Sequence, residues 1–135
     1  VTAAGPRPGE RFSLRRRALS FRYAWRGLLF VVRSQHNAWI HALATVVVLG
    51  AAAVLRIDRE EWALLVVSMV LVWSAEAVNT AVEALGDAVS PEWRPAVGRA
   101  KDAAAAAVLV SAVGAAVVGG LVLGPRIAGL LGYPP

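Results

Sequence analysis

Three long apolar runs constrain this chain more than any other feature. The first, around "AWIHALATVVVLGAAAVL", covers about 38–55; the second follows "RIDREEW" and covers about 61–86; the third, around "AAAAAVLVSAVGAAVVGGLVL", covers about 100–123. A helix needs roughly 17–25 mostly apolar residues to cross hydrocarbon, so each run is long enough for one crossing, the first near the lower limit. With 58% apolar and only 17% charged residues in 135, the chain is too oily for a soluble domain of this length. The expected class is an all-α integral membrane protein. Cysteine is absent, which excludes a disulfide framework and a thiolate metal site.

The net charge of +5 does not point to nucleic acid, because the arginines are not spread along the chain. Arg7, Arg11, Arg15, Arg16, Arg17, Arg22, Arg26 and Arg33 all precede the first run, against the single acid Glu10. Such an asymmetry marks a cytoplasmic flank, with anionic headgroups as its partner. A cleaved signal peptide is a poor reading, since apolar runs recur down the chain. Residues 1–12 are rich in Gly and Pro and read as a disordered tail. Over 13–34, Leu14, Phe21, Trp25, Leu28, Leu29 and Val32 recur at helical spacings, away from most of the arginines, which predicts an amphipathic helix lying on the membrane surface. One membrane domain over 13–124 and a short C-terminal tail over 125–135 complete the expected organisation. Asp58 and Glu61 have the spacing of a capping box ahead of the second span. Trp39, Trp62 and Trp93 fall near expected helix ends, as interfacial anchors do.

The second run then breaks its own rule. Glu76, Asn79, Glu83 and Asp87 occur in "SAEAVNTAVEALGDAV", and at about 100° per residue all four fall within an arc of roughly 80°. A carboxylate at mid-bilayer costs about 2.5–3.5 kcal/mol on insertion scales, so this stripe must meet partners, cations or water. A polar seam that holds helices together is one reading of the stripe. With a cytoplasmic N-terminus, three crossings place the stripe at the cytoplasmic side, where ATP is available. Lys101 is the only lysine among 14 basic residues, and Asp102 follows it at the cytoplasmic entrance of the third span. A mobile ammonium suits phosphate oxygens, and a carboxylate suits magnesium, which takes phosphate oxygens into the same shell. Acids and a lysine at a membrane surface therefore suggest phosphoryl transfer. GxxxxGKS/T and the protein-kinase motifs are absent.

"AEAVNTAVEALGDAVSPEW" followed by "GRAKDAAAAAVL" resembles the signature of the prokaryotic diacylglycerol kinase family, small trimeric membrane lipid kinases that include undecaprenol kinases. Upstream, "FRYAWRGL" and "NAWIH" extend the resemblance over about 20–118. It implies three membrane helices, a surface helix, a homotrimer and ATP-dependent phosphorylation of a lipid hydroxyl with Mg2+. Glu76 matches the family's general base, Glu83 its principal metal-binding glutamate, and Asn79 the neighbouring amide that orients lipid or phosphate. Asp87, Lys101 and Asp102 match nucleotide-site positions, with Glu83 beside them. Arg16 and Tyr23 fall near nucleotide-contacting positions on the surface helix, and Trp39 near the lipid. One departure stands out: Gln35 occupies the place of a glutamate that helps Glu83 hold metal. An amide oxygen can coordinate but brings no charge, so His36 or His41 could supplement it. "NAWIH" and "VSPEWRP" look more like the undecaprenol kinase branch than the enterobacterial diacylglycerol kinase branch. Two other classes fit part of the sequence. A proton- or cation-conducting protein would use the stripe as a relay but leaves "RAKD" without a role; an inactive membrane subunit would explain Gln35 alone.

Overall fold

In the computed structural model, residues 14–92 and 94–132 are described, the first three of them by backbone alone. Trp93 and the segments 1–13 and 133–135 lie outside the described residues. Four helices follow in order: α1 (Leu14–Ser34), α2 (His36–Leu55), α3 (Arg59–Val89) and α4 (Pro95–Leu130). The last three are long and apolar enough to cross a membrane.

Local chemistry explains each boundary. Gln35 takes an extended backbone (φ −111°, ψ 123°), which separates α1 from α2. Arg56 adopts the left-handed conformation (φ 51°, ψ 48°) and its N–H returns to the carbonyls of Ala52 and Ala53, ending α2. The capping box that the Asp58/Glu61 spacing predicts is formed. Asp58 Oδ1 accepts from the N–H groups of Glu60 (3.0 Å) and Glu61 (2.9 Å), and Glu61 Oε2 accepts from the Asp58 N–H (2.9 Å). Pro95 opens α4 at a position where its missing N–H costs nothing. α3 has 31 residues and α4 has 36, so both continue beyond the apolar runs 61–86 and 100–123. Hydropathy locates the part of a helix that matches lipid, not its last hydrogen bond. At 1.5 Å per residue, α3 is about 46 Å long against a hydrocarbon core of about 30 Å, so its last turns leave the hydrocarbon.

α3 is the central element and packs most extensively against α4. Its buried residues include Leu65, Val72, Asn79 and Gly86, each seven positions after the last, with Glu76 and Thr80 beside them. A seven-residue repeat keeps one seam facing its neighbours along a helix. Here the same seam changes character halfway: Leu and Val at one end, Glu, Asn, Thr and Gly at the other. The apolar half closes a small core in which Ala52, Ile57, Leu65, Val122 and Leu123 meet. α2 and α3 run antiparallel in steady register, with Gln35 against Glu83, Thr45 against Trp73, and Ala52 in the core with Leu65. α3 and α4 are antiparallel too, tied by Lys101–Asp87 at one end and Arg126–Glu61 at the other.

At that second end Arg126 Nη2 lies 2.7 Å from Glu61 Oε2 and 3.6 Å from Asp58 Oδ2. The Glu61 backbone N–H holds the Asp58 carboxyl below the usual carboxylate range, assisted by the Glu60 N–H and the Arg126 charge. The arginine therefore fastens the C-terminal end of α4 to the cap of α3. Large apolar side chains elsewhere on the three long helices, such as Val46, Val70 and Leu121, point outward, as a lipid-facing surface does. On α1, Phe21, Trp25 and Phe30 are exposed beside Arg22, Arg26 and Arg33, and Val31 is buried, in keeping with the expected surface helix.

Candidate functional site

The polar half of the α3 seam meets α2 at a cavity of about 250 Å³. Asn37 and His41 of α2 and Glu76, Asn79 and Glu83 of α3 form its polar lining; Ala105, Val108, Leu109 and Ala112 of α4 form an apolar wall. Glu76 is completely buried, and neither of its carboxylate oxygens has a hydrogen-bond partner. A buried carboxylate without partners is costly, and this one is aimed into a cavity. Its nearest ionisable neighbour is His41, whose Nε2 lies 3.9 Å from Glu76 Oε2. One turn on, Thr80 Oγ1 donates to the Glu76 carbonyl at 2.8 Å, so the hydroxyl is used on the backbone and not on the carboxylate.

Glu83 is built differently. Asn79 Nδ2 donates to its Oε1 at 3.0 Å, and Gln35 Nε2 donates to its Oε2 at 2.5 Å. The Asn79 amide oxygen remains buried and without a partner. Gln35 can reach Glu83 because it precedes the first turn of α2 and makes no side-chain cap bond there. In this arrangement Gln35 meets Glu83 as a hydrogen-bond donor through its amide nitrogen.

Beyond Glu83 the stripe leaves the protein interior. Asp87 is exposed and pairs with Lys101 Nζ at 2.5 Å. The lysine crosses α3 over Gly86, where a Cβ would lie 2.8 Å from Lys101 Cε and 3.0 Å from Val97 Cγ1. The missing side chain thus makes the path that the lysine takes. An exposed ion pair contributes little to stability, so either partner can exchange it for a phosphate or a cation at small cost.

Tyr23, His36, Trp39 and Asp102, also singled out by sequence, do not line this cavity. Asp102 is exposed one position beyond Lys101, and Tyr23 is exposed on α1. Trp39 is exposed and lines neither this cavity nor its neighbour, whereas Asn37 and Ile40 do line it. His36 is exposed at the start of α2. The Arg16 side chain lies outside the described residues. Asn37, Thr80 and Gly86 are given no role by the sequence: Asn37 lines the cavity, Thr80 bonds the backbone of Glu76, and Gly86 makes room for Lys101 of α4.

No group of three or more His, Asp or Glu side chains among the described residues is placed to hold a metal ion by itself. Magnesium, however, is commonly held by one or two carboxylates with substrate phosphates and water completing the shell. Glu83, with amides flanking it and its carboxylate facing the cavity, fits an ion that arrives with a phosphate chain. A second, largely apolar cavity of about 430 Å³ shares Ile40, His41 and Ala112 with the first and continues between α2, α3 and α4 towards Leu65 and Leu123.

Comparison with known proteins accounts for this combination. Residues 22–123 match the family described as prokaryotic diacylglycerol kinase. A diacylglycerol kinase of Synechocystis is 36% identical over 134 residues, covering 93% of this chain and 77% of that protein. The undecaprenol kinase of Bacillus subtilis is 33% identical over 118 residues, covering 87% of this chain and 96% of that protein. A diacylglycerol kinase of Escherichia coli is 33% identical over 98 residues, covering 67% of this chain and 75% of that protein. With three helices able to cross a membrane and an acidic cavity between them, the chain belongs to the prokaryotic diacylglycerol kinase family and is a membrane lipid kinase.

Proposed function

We propose that this kinase transfers the γ-phosphoryl group of ATP to the hydroxyl of undecaprenol, at the cytoplasmic face of the cytoplasmic membrane, with Glu76 as general base. The observation that carries the reading is Glu76 itself, buried, without a hydrogen-bond partner on either carboxylate oxygen, and directed into the cavity where α2 and α3 meet. A hydroxyl placed there gives its proton to Glu76 as its oxygen attacks phosphorus and the bond to ADP breaks. Glu83 and Gln35 are the residues that would hold Mg2+, and a bound ion would neutralise phosphate charge. Asn79 orients the hydroxyl through its free carbonyl oxygen, or a phosphate oxygen through the remaining N–H of its amide. Lys101 leaves Asp87 to meet phosphate, and Asp87, Asp102, Arg16 and Tyr23 complete the nucleotide site, with Trp39 at the lipid entrance. The arginine-rich N-terminal flank supports a cytoplasmic location for the end of α3 and the start of α4, and with it for the nucleotide. One chain leaves the cavity open on one side, and a homotrimer is the proposed working assembly.

The choice of undecaprenol is supported by the apolar cavity that leads from His41 along the spans, which offers a path for a linear isoprenoid chain beside the acidic cavity. The near-complete coverage of the Bacillus enzyme supports it as well. Diacylglycerol is the second reading, favoured by the name of the Synechocystis relative. Purified protein in detergent, given MgATP and each lipid in turn, is expected to show kcat/KM for undecaprenol at least about tenfold higher, equivalent to ~1.4 kcal/mol. The opposite preference would make diacylglycerol the substrate.

Gly86 provides a separate check on the lysine. Gly86→Ala puts a methyl group into the path of Lys101, within 3.0 Å of Val97 as well. The expected outcome is a KM for MgATP raised about fivefold, equivalent to ~1 kcal/mol, with lipid KM unchanged. Steady-state kinetics with each substrate varied in turn would read it, and an unchanged KM for MgATP would remove Lys101 from the nucleotide site.

A further inference from the structure

We infer that His41 is a positioning residue that takes the acceptor's proton onward from Glu76, and that Trp73 and Thr45 form the tether that holds it there. The inference rests on Glu76 being the general base. A base buried as deeply as Glu76 has to lose its proton again before the next turnover, and the groups lining the cavity limit where the proton can go. On α3 these are Asn79 and Glu83, and both Glu83 oxygens already accept amide hydrogen bonds. On α2 they are Asn37 and His41; on α4 the lining side chains, from Ala105 to Ala112, are all hydrocarbon, and no described side chain of α1 lines the cavity. His41 is therefore the basic group on this lining, and it is the one next to Glu76, at 3.9 Å.

Exposure gives the direction. The Glu76 side chain is 1% exposed and that of His41 is 15%, so of the two groups the imidazole is the less enclosed. In balance, the lipid O–H proton moves to Glu76 as the O–P bond forms and ADP leaves. It then passes to Nε2 of a neutral His41 that carries its own proton on Nδ1, and the imidazolium releases one proton to water. At 3.9 Å the pair is outside hydrogen-bond reach of about 2.6–3.2 Å, so the transfer takes place when substrate tightens the site or across one water.

The tether is the independent observation. One turn from His41 along α2, Thr45 Oγ1 donates to the His41 carbonyl at 2.7 Å, and Trp73 Nε1 of α3 donates to Thr45 Oγ1 at 3.2 Å. Trp73 lies three residues before Glu76, so the same turn of α3 that carries the base also anchors the turn of α2 that carries the histidine. The bridge thus joins the two turns that carry His41 and Glu76.

The test is kcat and KM for the full-length protein in detergent, with MgATP and the preferred lipid each varied in turn. His41→Gln is expected to lower kcat about tenfold or more and to leave both KM values within about twofold. Added imidazole should restore part of the rate to His41→Ala. Thr45→Val keeps the histidine and removes the tether; it is expected to lower kcat several-fold, and it covers the case in which His41→Gln fails to fold. Unchanged kcat in His41→Gln, or no rescue of His41→Ala by imidazole, with Glu76→Gln inactive, would overturn the role of His41 alone. A fully active Glu76→Gln would overturn the base assignment beneath it. Wild-type kcat in Thr45→Val would dismiss the tether.

Discussion

Glu76→Gln is expected to lower kcat for lipid phosphorylation by about 10²–10⁴-fold while MgATP binding and folding persist. The substitution keeps the shape of the side chain and removes only its capacity to accept a proton. Glu76 is fully buried and neither carboxylate oxygen is bonded to protein, so no hydrogen bond within the chain is lost. Removing a buried charge that lacks a partner relieves a desolvation cost, so thermal stability should stay level or rise. Loss of rate with a maintained unfolding temperature is the combination that separates a catalytic carboxylate from a structural seam. A seam residue would give the reverse, a lower unfolding temperature and near-normal rate in the surviving protein.

Glu83→Ala should cost at least as much activity, through a different quantity. Its two oxygens accept the amides of Gln35 and Asn79, and its carboxylate faces the cavity. Truncation removes the proposed metal carboxylate and leaves two part-buried amides unpaired, a penalty of about 1–3 kcal/mol each for groups fully denied water and less here. The expected result is a large rise in half-saturating Mg2+ and in KM for ATP, together with a lower unfolding temperature. In the same titration Gln35→Glu is expected to move half-saturating Mg2+ in the other direction, because a second carboxylate beside Glu83 adds charge to the ion's shell. If Glu83→Ala kept the wild-type magnesium requirement, the ion would have to be held elsewhere.

Much of this architecture is legible in the amino-acid sequence. Three apolar runs correspond to three spans, the Asp58/Glu61 spacing to the cap on α3, and the polar residues at 76, 79, 83 and 87 to one stripe, because helical geometry is local. What the sequence hides depends on residues far apart along the chain. The stripe does not behave as one unit: Glu76 and Asn79 are buried, whereas Asp87 is exposed on Lys101. The angle between two residues on a helix says nothing about what faces each turn. Gln35 and Glu83 are 48 residues apart, and only the antiparallel register of α2 and α3 brings the amide to the carboxylate. Gly86 reads in sequence as a cost to helix propensity, and its purpose is visible only from α4, where Lys101 crosses it. Trp73 and Thr45 read as apolar-span residues until the register pairs them.

In the proposed reaction phosphate passes from ATP to a lipid hydroxyl at the acidic cavity, with Glu76 as base. Incubating the purified protein with γ-labelled ATP, Mg2+ and undecaprenol, then separating lipid from water, measures that transfer directly. Wild type is expected to place the label in the lipid phase in proportion to the ADP formed, and Glu76→Gln to leave it in ATP. Label released only as inorganic phosphate, or transferred to lipid equally by wild type and Glu76→Gln, would contradict the account.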